Sequence, residues 1–219
     1  MDFEALFEFL EALNKNNSKD WMDRHRKQYR SLRDDFIHWL DRMDARLAQL
    51  DPDYYPTPGR SGINRINNNL LYHPDRPVYK DHFGAGLDKA PGTGDFYVQV
   101  GIGECLLAGG LWRPGPAKLR KVREAIDYDG EVLKAILEKP AFRQMFGRLY
   151  EDEKLQRMPK GYGADHPHAD LLKYKTFAVV RPVSRKQVLS QGFEDLVEAT
   201  YLEMLPLRRY LNRALTVDA

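Results

Sequence analysis

The sequence predicts an α+β fold: a modest, mainly antiparallel sheet flanked by N-terminal and C-terminal helices. Three observations lead there. Apolar residues recur at helical spacing at both ends of the chain. Between them, Phe96, Val98, Val100 and Ile102 alternate with Tyr97, Gln99 and Gly101, the period of a strand with one buried face. No strand–helix–strand rhythm of a doubly wound sheet is present.

At the N-terminus, Phe3, Leu6, Phe7, Phe9, Leu10 and Leu13 form one helical stripe. Asn14-Lys15-Asn16-Asn17-Ser18 should end that helix and cap the next, because Asn and Ser side chains compete for backbone hydrogen bonds. A long amphipathic helix is then expected from Ser18 to about Leu50, with Trp21, Phe36, Leu40, Met43 and Leu47 inward. Residues 51–62, with three prolines, read as a loop, Ile63–Leu71 as a strand, and 72–95 as irregular. After the alternating strand, Gly103-Glu104 should turn the chain into a returning strand, Cys105–Leu111. Within it, Gly109-Gly110 marks a bulge or a close backbone approach. Pro116 suits the first turn of a helix running to about Asp127, and Asp129 should cap another. A short helix at Phe142–Leu149, a β-rich run at Thr176–Arg181, a capping box at Ser184–Gln187 and a closing helix near Phe193–Leu215 complete the reading. This gives one domain over 1–219, with a helical segment at 1–50, a sheet-containing core at 62–182 and C-terminal helices at 184–215.

Composition narrows function by exclusion. Basic and acidic residues number 34 and 32, a net charge of +2, so no large basic field marks a nucleic-acid binder. Cys105 is the only cysteine, which rules out an intramolecular disulfide and suits either a reducing compartment or indifference to redox. The start is acidic rather than leader-like, and no apolar run approaches the roughly 20 residues of a membrane span. A cytoplasmic protein with no membrane partner is expected. The sequence leaves oligomeric state and cofactor open.

Polar chemistry is concentrated in three places. In the Ile63–Leu71 strand, Arg65, Asn67 and Asn69 would share one face, a guanidinium and two amides suited to a carboxylate or phosphate. The same amides could equally satisfy loop backbone. Tyr79 and Lys80 follow nearby. Further along, His166, His168 and Asp170 have metal-ligand spacing, with His73 or His82 as possible additions, though residues of these types also cap helices. Trp112-Arg113 at a strand end could wall a pocket, or be a core ring beside a solvated charge.

Several of these segments carry a resemblance. Asn14–Trp21, Arg65–Lys80 with Pro77-Val78-Tyr79-Lys80 at its end, Tyr97–Trp112, and Pro159-Lys160-Gly161-Tyr162 with His166-Pro167 resemble the family catalogued as domain of unknown function 2461. The likeness runs from about Phe3 to beyond Phe177. It implies an intracellular domain and no particular reaction. Many members carry Arg-Asp-x-Arg where this chain has Asn68-Asn69-Leu70-Leu71, which implies a site with less positive charge here.

Three functions are consistent with these features. The favoured one is a site for a small polar or anionic ligand, with or without catalysis, built from Arg65, Asn67, Asn69, Tyr79, Lys80, Trp112, Arg113 and Lys160. The alternatives are a metal-dependent hydrolase using His166, His168 and Asp170, and a non-enzymatic interaction module presenting its long helices.

Overall fold

The structure, a computed structural model, describes residues 1–216. It is an α+β fold, with helices flanking one antiparallel sheet of four strands in the order β1-β2-β3-β4. The strands are β1 (His82–Leu87), β2 (Asp95–Gly101), β3 (Cys105–Leu111) and β4 (Phe177–Val183). Among the described residues, no helix is long and apolar enough to cross a membrane. Contacts divide the chain into two compact units. One comprises Met1–Lys89, Tyr97–Leu107 and Pro182–Glu198; the other comprises Ala90–Phe96, Ala108–Arg181 and, within the described residues, 199–216.

In the first unit, α1 (Phe3–Lys15) starts at Asp2, whose carboxylate accepts from Ala5 N–H, and buries the expected stripe of Leu6, Phe7, Phe9, Leu10 and Leu13. Ser18 caps the next helix as its sequence position suggests, its hydroxyl accepting from Trp21 N–H at 3.3 Å. The expected continuous helix is broken, however, into α2 (Lys19–Arg24) and α3 (Arg26–Ala48). The break is at His25, whose ring stacks on Trp21 at 3.8 Å while Nδ1 meets the Trp21 carbonyl oxygen at 2.8 Å. Trp39 of α3 stacks on Phe193, and Phe3 packs edge-on against both rings. Arg46 closes this face with ion pairs to Asp195 and Glu198.

A short turn of helix, α4 (Gly59–Gly62), follows within the 51–62 stretch read as loop. Two expectations here are corrected. Ile63–Leu71 is not a strand: it makes only the single bridges Ile63–Ala85 and Asn67–Tyr79. One strand, β1, instead lies inside the glycine-rich stretch read as irregular. A Cβ at Gly84 would collide with the Tyr97 side chain, so the glycine permits close packing within the sheet. In place of a longer ladder, the side chain of Asn17 braces Tyr79. Its Oδ1 accepts from Tyr79 N–H at 2.9 Å and its Nδ2 donates to the Tyr79 carbonyl at 3.0 Å.

In the second unit, α5 (Pro116–Glu138) begins with Pro116 in its first turn and is interrupted at Asp129, where φ is −142° and ψ is 42°. That is the position where the sequence placed the boundary between two helices. Then come α6 (Pro140–Phe146), which ends before the expected Leu149 at Gly147 with φ 72°, and the single turn α7 (Ala169–Leu172). Downstream, α8 (Arg185–Val188), in the first unit, carries the expected capping box from Ser184 and Gln187, and α9 (Phe193–Thr216) closes the described chain. The close approach read from Gly109-Gly110 is real: Gly109 faces Met204 and the Asp95 carbonyl, and Gly110, at φ 109°, lies against Phe177 and Ala178.

The Asn17 brace yields a stability prediction. Asn17→Ala removes two hydrogen bonds to part-buried backbone, each worth about 1 kcal/mol net. The melting temperature should fall by several degrees, at about 2–4 °C per kcal/mol for a chain of this size. An unchanged melting temperature would show that the brace is decorative.

Candidate functional site

The sequence-nominated residues fall in both units. In the first, the backbone pairing of Ile66–Asn68 with Val78–Lys80 is carried by Asn68 N–H to the Val78 carbonyl (3.0 Å) and Lys80 N–H to the Ile66 carbonyl (2.8 Å). This leaves Arg65 and Asn67 exposed and Tyr79 buried. Asn69 has left the pairing; its carbonyl accepts from the N–H groups of Tyr72 and His73 in the turn. Lys80 directs its ammonium at the Arg65 carbonyl, 2.7 Å away. Burial, and then the charges of Arg65 and Arg76, push the Lys80 ammonium below the usual lysine range. His82 bonds Asp81, and His73 sits exposed in the turn.

In the second unit, Trp112 is half exposed and tilts against Tyr150 at 4.5 Å. Arg113, at φ 44°, lies over the Trp112 ring and pairs with Glu153 at 2.9 Å, so its charge is neutralised. The spacing of His166, His168 and Asp170 does not produce a ligand set. Asp170 pairs with Lys154 at 2.8 Å. His166 meets Asp127 through Nε2 at 2.9 Å, and its Nδ1 receives the His168 backbone N–H at 3.0 Å. The His168 ring is buried against Gly130. Among the described residues, no group of three His, Cys, Asp or Glu is arranged to hold a metal.

Lys160 stands elsewhere. It lines a cavity of about 540 Å³ together with Arg120, Arg123, Glu124, Asp127, Gly161, Tyr162 and Lys175, closed on one side by Pro114, Pro116 and Leu119. Two sequence features build it. Arg120, Arg123, Glu124 and Asp127 follow at i, i+3, i+4 and i+7 along α5 and so share one helix face. Lys160-Gly161-Tyr162 forms a turn in which Gly161 adopts φ 98°, a conformation that glycine supplies without a Cβ clash.

The charge arrangement is uneven. Arg120 and Glu124 pair at 3.6 Å, and Asp127 accepts from His166. Arg123 is half buried and anchored by backbone: Nε donates to the Leu172 carbonyl at 3.0 Å and an outer nitrogen to the Tyr174 carbonyl at 3.4 Å. Burial pulls its guanidinium below the usual arginine range. Burial likewise pushes the Tyr162 hydroxyl up, with Asp127 and Glu124 adding to the shift. Among the described residues, no carboxylate forms an ion pair with Arg123, Lys160 or Lys175. The cavity can therefore accept negative charge and offers a tyrosine and two carboxylates beside it.

Of this cavity's residues, Lys160 is marked as a site residue by the sequence, whereas Arg123 and Lys175 are not. The signal for Arg123 was present in the one-face spacing of α5, where it reads as an ordinary solvated helix charge.

His168 fixes His166 through its backbone, so its seat against Gly130 can be tested. A Cβ at Gly130 would overlap the imidazole ring. Helix propensity alone would favour alanine over glycine by about 1 kcal/mol. A Gly130→Ala variant with a melting temperature below wild type, from overpacking that costs about 1–3 kcal/mol, would confirm the tight seat; a rise would refute it.

A protein-family model described as "Conserved hypothetical protein (DUF2461)" matches residues 5–210. No curated protein and no solved structure matches the chain.

Proposed function

Because the chain belongs to the DUF2461 family, whose description names no reaction, we propose a function from the cavity itself: it binds a small anionic molecule through Arg123, Lys160 and Lys175. One observation carries this reading. Three cationic side chains, one of them half buried, line a single cavity without a carboxylate partner among the described residues. Removing part of a guanidinium's hydration is costly, and two neutral carbonyls offset it only partly. An anion supplies the missing counter-charge, and arginine presents it with a planar fork of donors. At about 540 Å³ the cavity lies within the range of pockets for small molecules, roughly 300–1,000 Å³. Lys160, nominated from the sequence, lines this cavity, and Arg65 and Lys80 are not among its lining residues.

The test is thermal unfolding in inorganic phosphate against chloride at matched ionic strength. Binding at about a hundred times the dissociation constant adds roughly 2.7 kcal/mol, a rise of several degrees. Lys160→Ala and Lys175→Ala change exposed side chains and should each cut phosphate affinity several-fold with little change in the ligand-free melting temperature. Arg123→Met should abolish the shift measured against its own ligand-free baseline. An equal shift in all three variants would place the anion elsewhere and reject the proposal.

A further inference from the structure

The same cavity contains a negative group held in a fixed orientation, and this narrows the ligand. His166 Nδ1 receives the His168 backbone N–H, so Nδ1 carries no hydrogen and the ring proton sits on Nε2. That proton is donated to Asp127 Oδ1 at 2.9 Å. In this tautomer the imidazole orients the carboxylate without neutralising it. Asp127 lies one helical turn beyond Arg123 on the same face of α5 and remains more than half exposed. A carboxylate is an acceptor only, and Asp127 has lone pairs beyond those that His166 uses. The ligand group meeting it must therefore donate a hydrogen bond.

Charge decides which donor. Four cationic side chains and two carboxylates line the cavity, leaving it two charges positive. A phosphate monoester carries about −1.5 to −2 at neutral pH, which matches that excess. An ammonium on the same ligand would undo the match, whereas a hydroxyl donates to Asp127 without changing the charge.

Resting on the anion-binding reading above, we propose that the ligand is a hydroxyl-bearing phosphate monoester of sugar-phosphate type. Its phosphate lies on Arg123, Lys160 and Lys175, and a hydroxyl is bound by Asp127. Asp127 is the specificity-determining residue, and His166 is its positioning residue.

The experiment compares dissociation constants for glucose 6-phosphate and inorganic phosphate by calorimetry in wild type, Asp127→Ala, Asp127→Asn and His166→Ala. Wild type should bind the sugar phosphate about tenfold more tightly, the scale of one hydrogen bond to a charged group. Asp127→Ala should remove that preference while inorganic phosphate binds as well as before or better, because a repelling charge has gone. Retained phosphate binding also shows that the variant is folded. Asp127→Asn keeps an acceptor without the charge and should fall between, and His166→Ala should lose part of the preference and leave phosphate affinity intact. A preference that survives Asp127→Ala, or no preference in wild type alongside clear phosphate binding, overturns this inference and leaves the anion site standing. Binding of neither ligand by wild type overturns both.

Discussion

A half-buried guanidinium, Arg123, with backbone carbonyls and no carboxylate among its partners in the described residues, is the constraint around which the second unit's polar face is organised. Arg123 cannot be left bare in a partly desolvated position, and the chain gives it the carbonyls of Leu172 and Tyr174. Those acceptors belong to α7 and the residues just after it, so the position of α7 against α5 and the direction of the guanidinium are set together. They satisfy hydrogen bonds but not charge. The remaining charge faces a cavity to which Lys160 and Lys175 add their own, and Asp127 is turned into the same space by His166. His166 is in turn fixed by the backbone of His168, whose ring is seated on Gly130. A sequence of local contacts, each with its own steric or hydrogen-bonding cause, thus delivers two opposite poles to one pocket.

The first unit shows a different use of polar side chains. Asn17 behaves as a piece of backbone, pairing with both the N–H and the carbonyl of Tyr79. Lys80 closes the same pairing by reaching the Arg65 carbonyl. Residues that look like a ligand face in the sequence are here largely engaged in holding a short, irregular pairing together, although Arg65 and Asn67 remain exposed beside it.

Where apolar period and capping chemistry agree, the fold was legible in the sequence. The stripe of α1, the Ser18 cap, the strands β2 and β3, the interruption at Asp129 and the Ser184 capping box are all local effects, decided within a few residues. The failures share the opposite property. β1 was hidden because its glycines read as turn formers, while Gly84 in fact admits the Tyr97 side chain of β2. The break at His25 has no proline or glycine to announce it and coincides with the stacking of its ring on Trp21 and the contact of Nδ1 with the Trp21 carbonyl. His-x-His-x-Asp has the spacing of a metal site, yet the backbone sends its three side chains to Asp127, Gly130 and Lys154. For the cavity, Lys160 stood out within its Pro-Lys-Gly-Tyr motif. Arg123 did not, because its carbonyl partners lie 49 and 51 residues further along the chain.

We propose that an anion bound in this cavity rests on Arg123. The most direct measurement is a crystal structure grown with tungstate, a phosphate analogue located by its anomalous scattering. An anomalous peak is expected within hydrogen-bonding distance of the Arg123 guanidinium, with Lys160 and Lys175 beside it. A cavity without a peak in crystals that bind tungstate elsewhere, or an acidic side chain paired with Arg123, would contradict it.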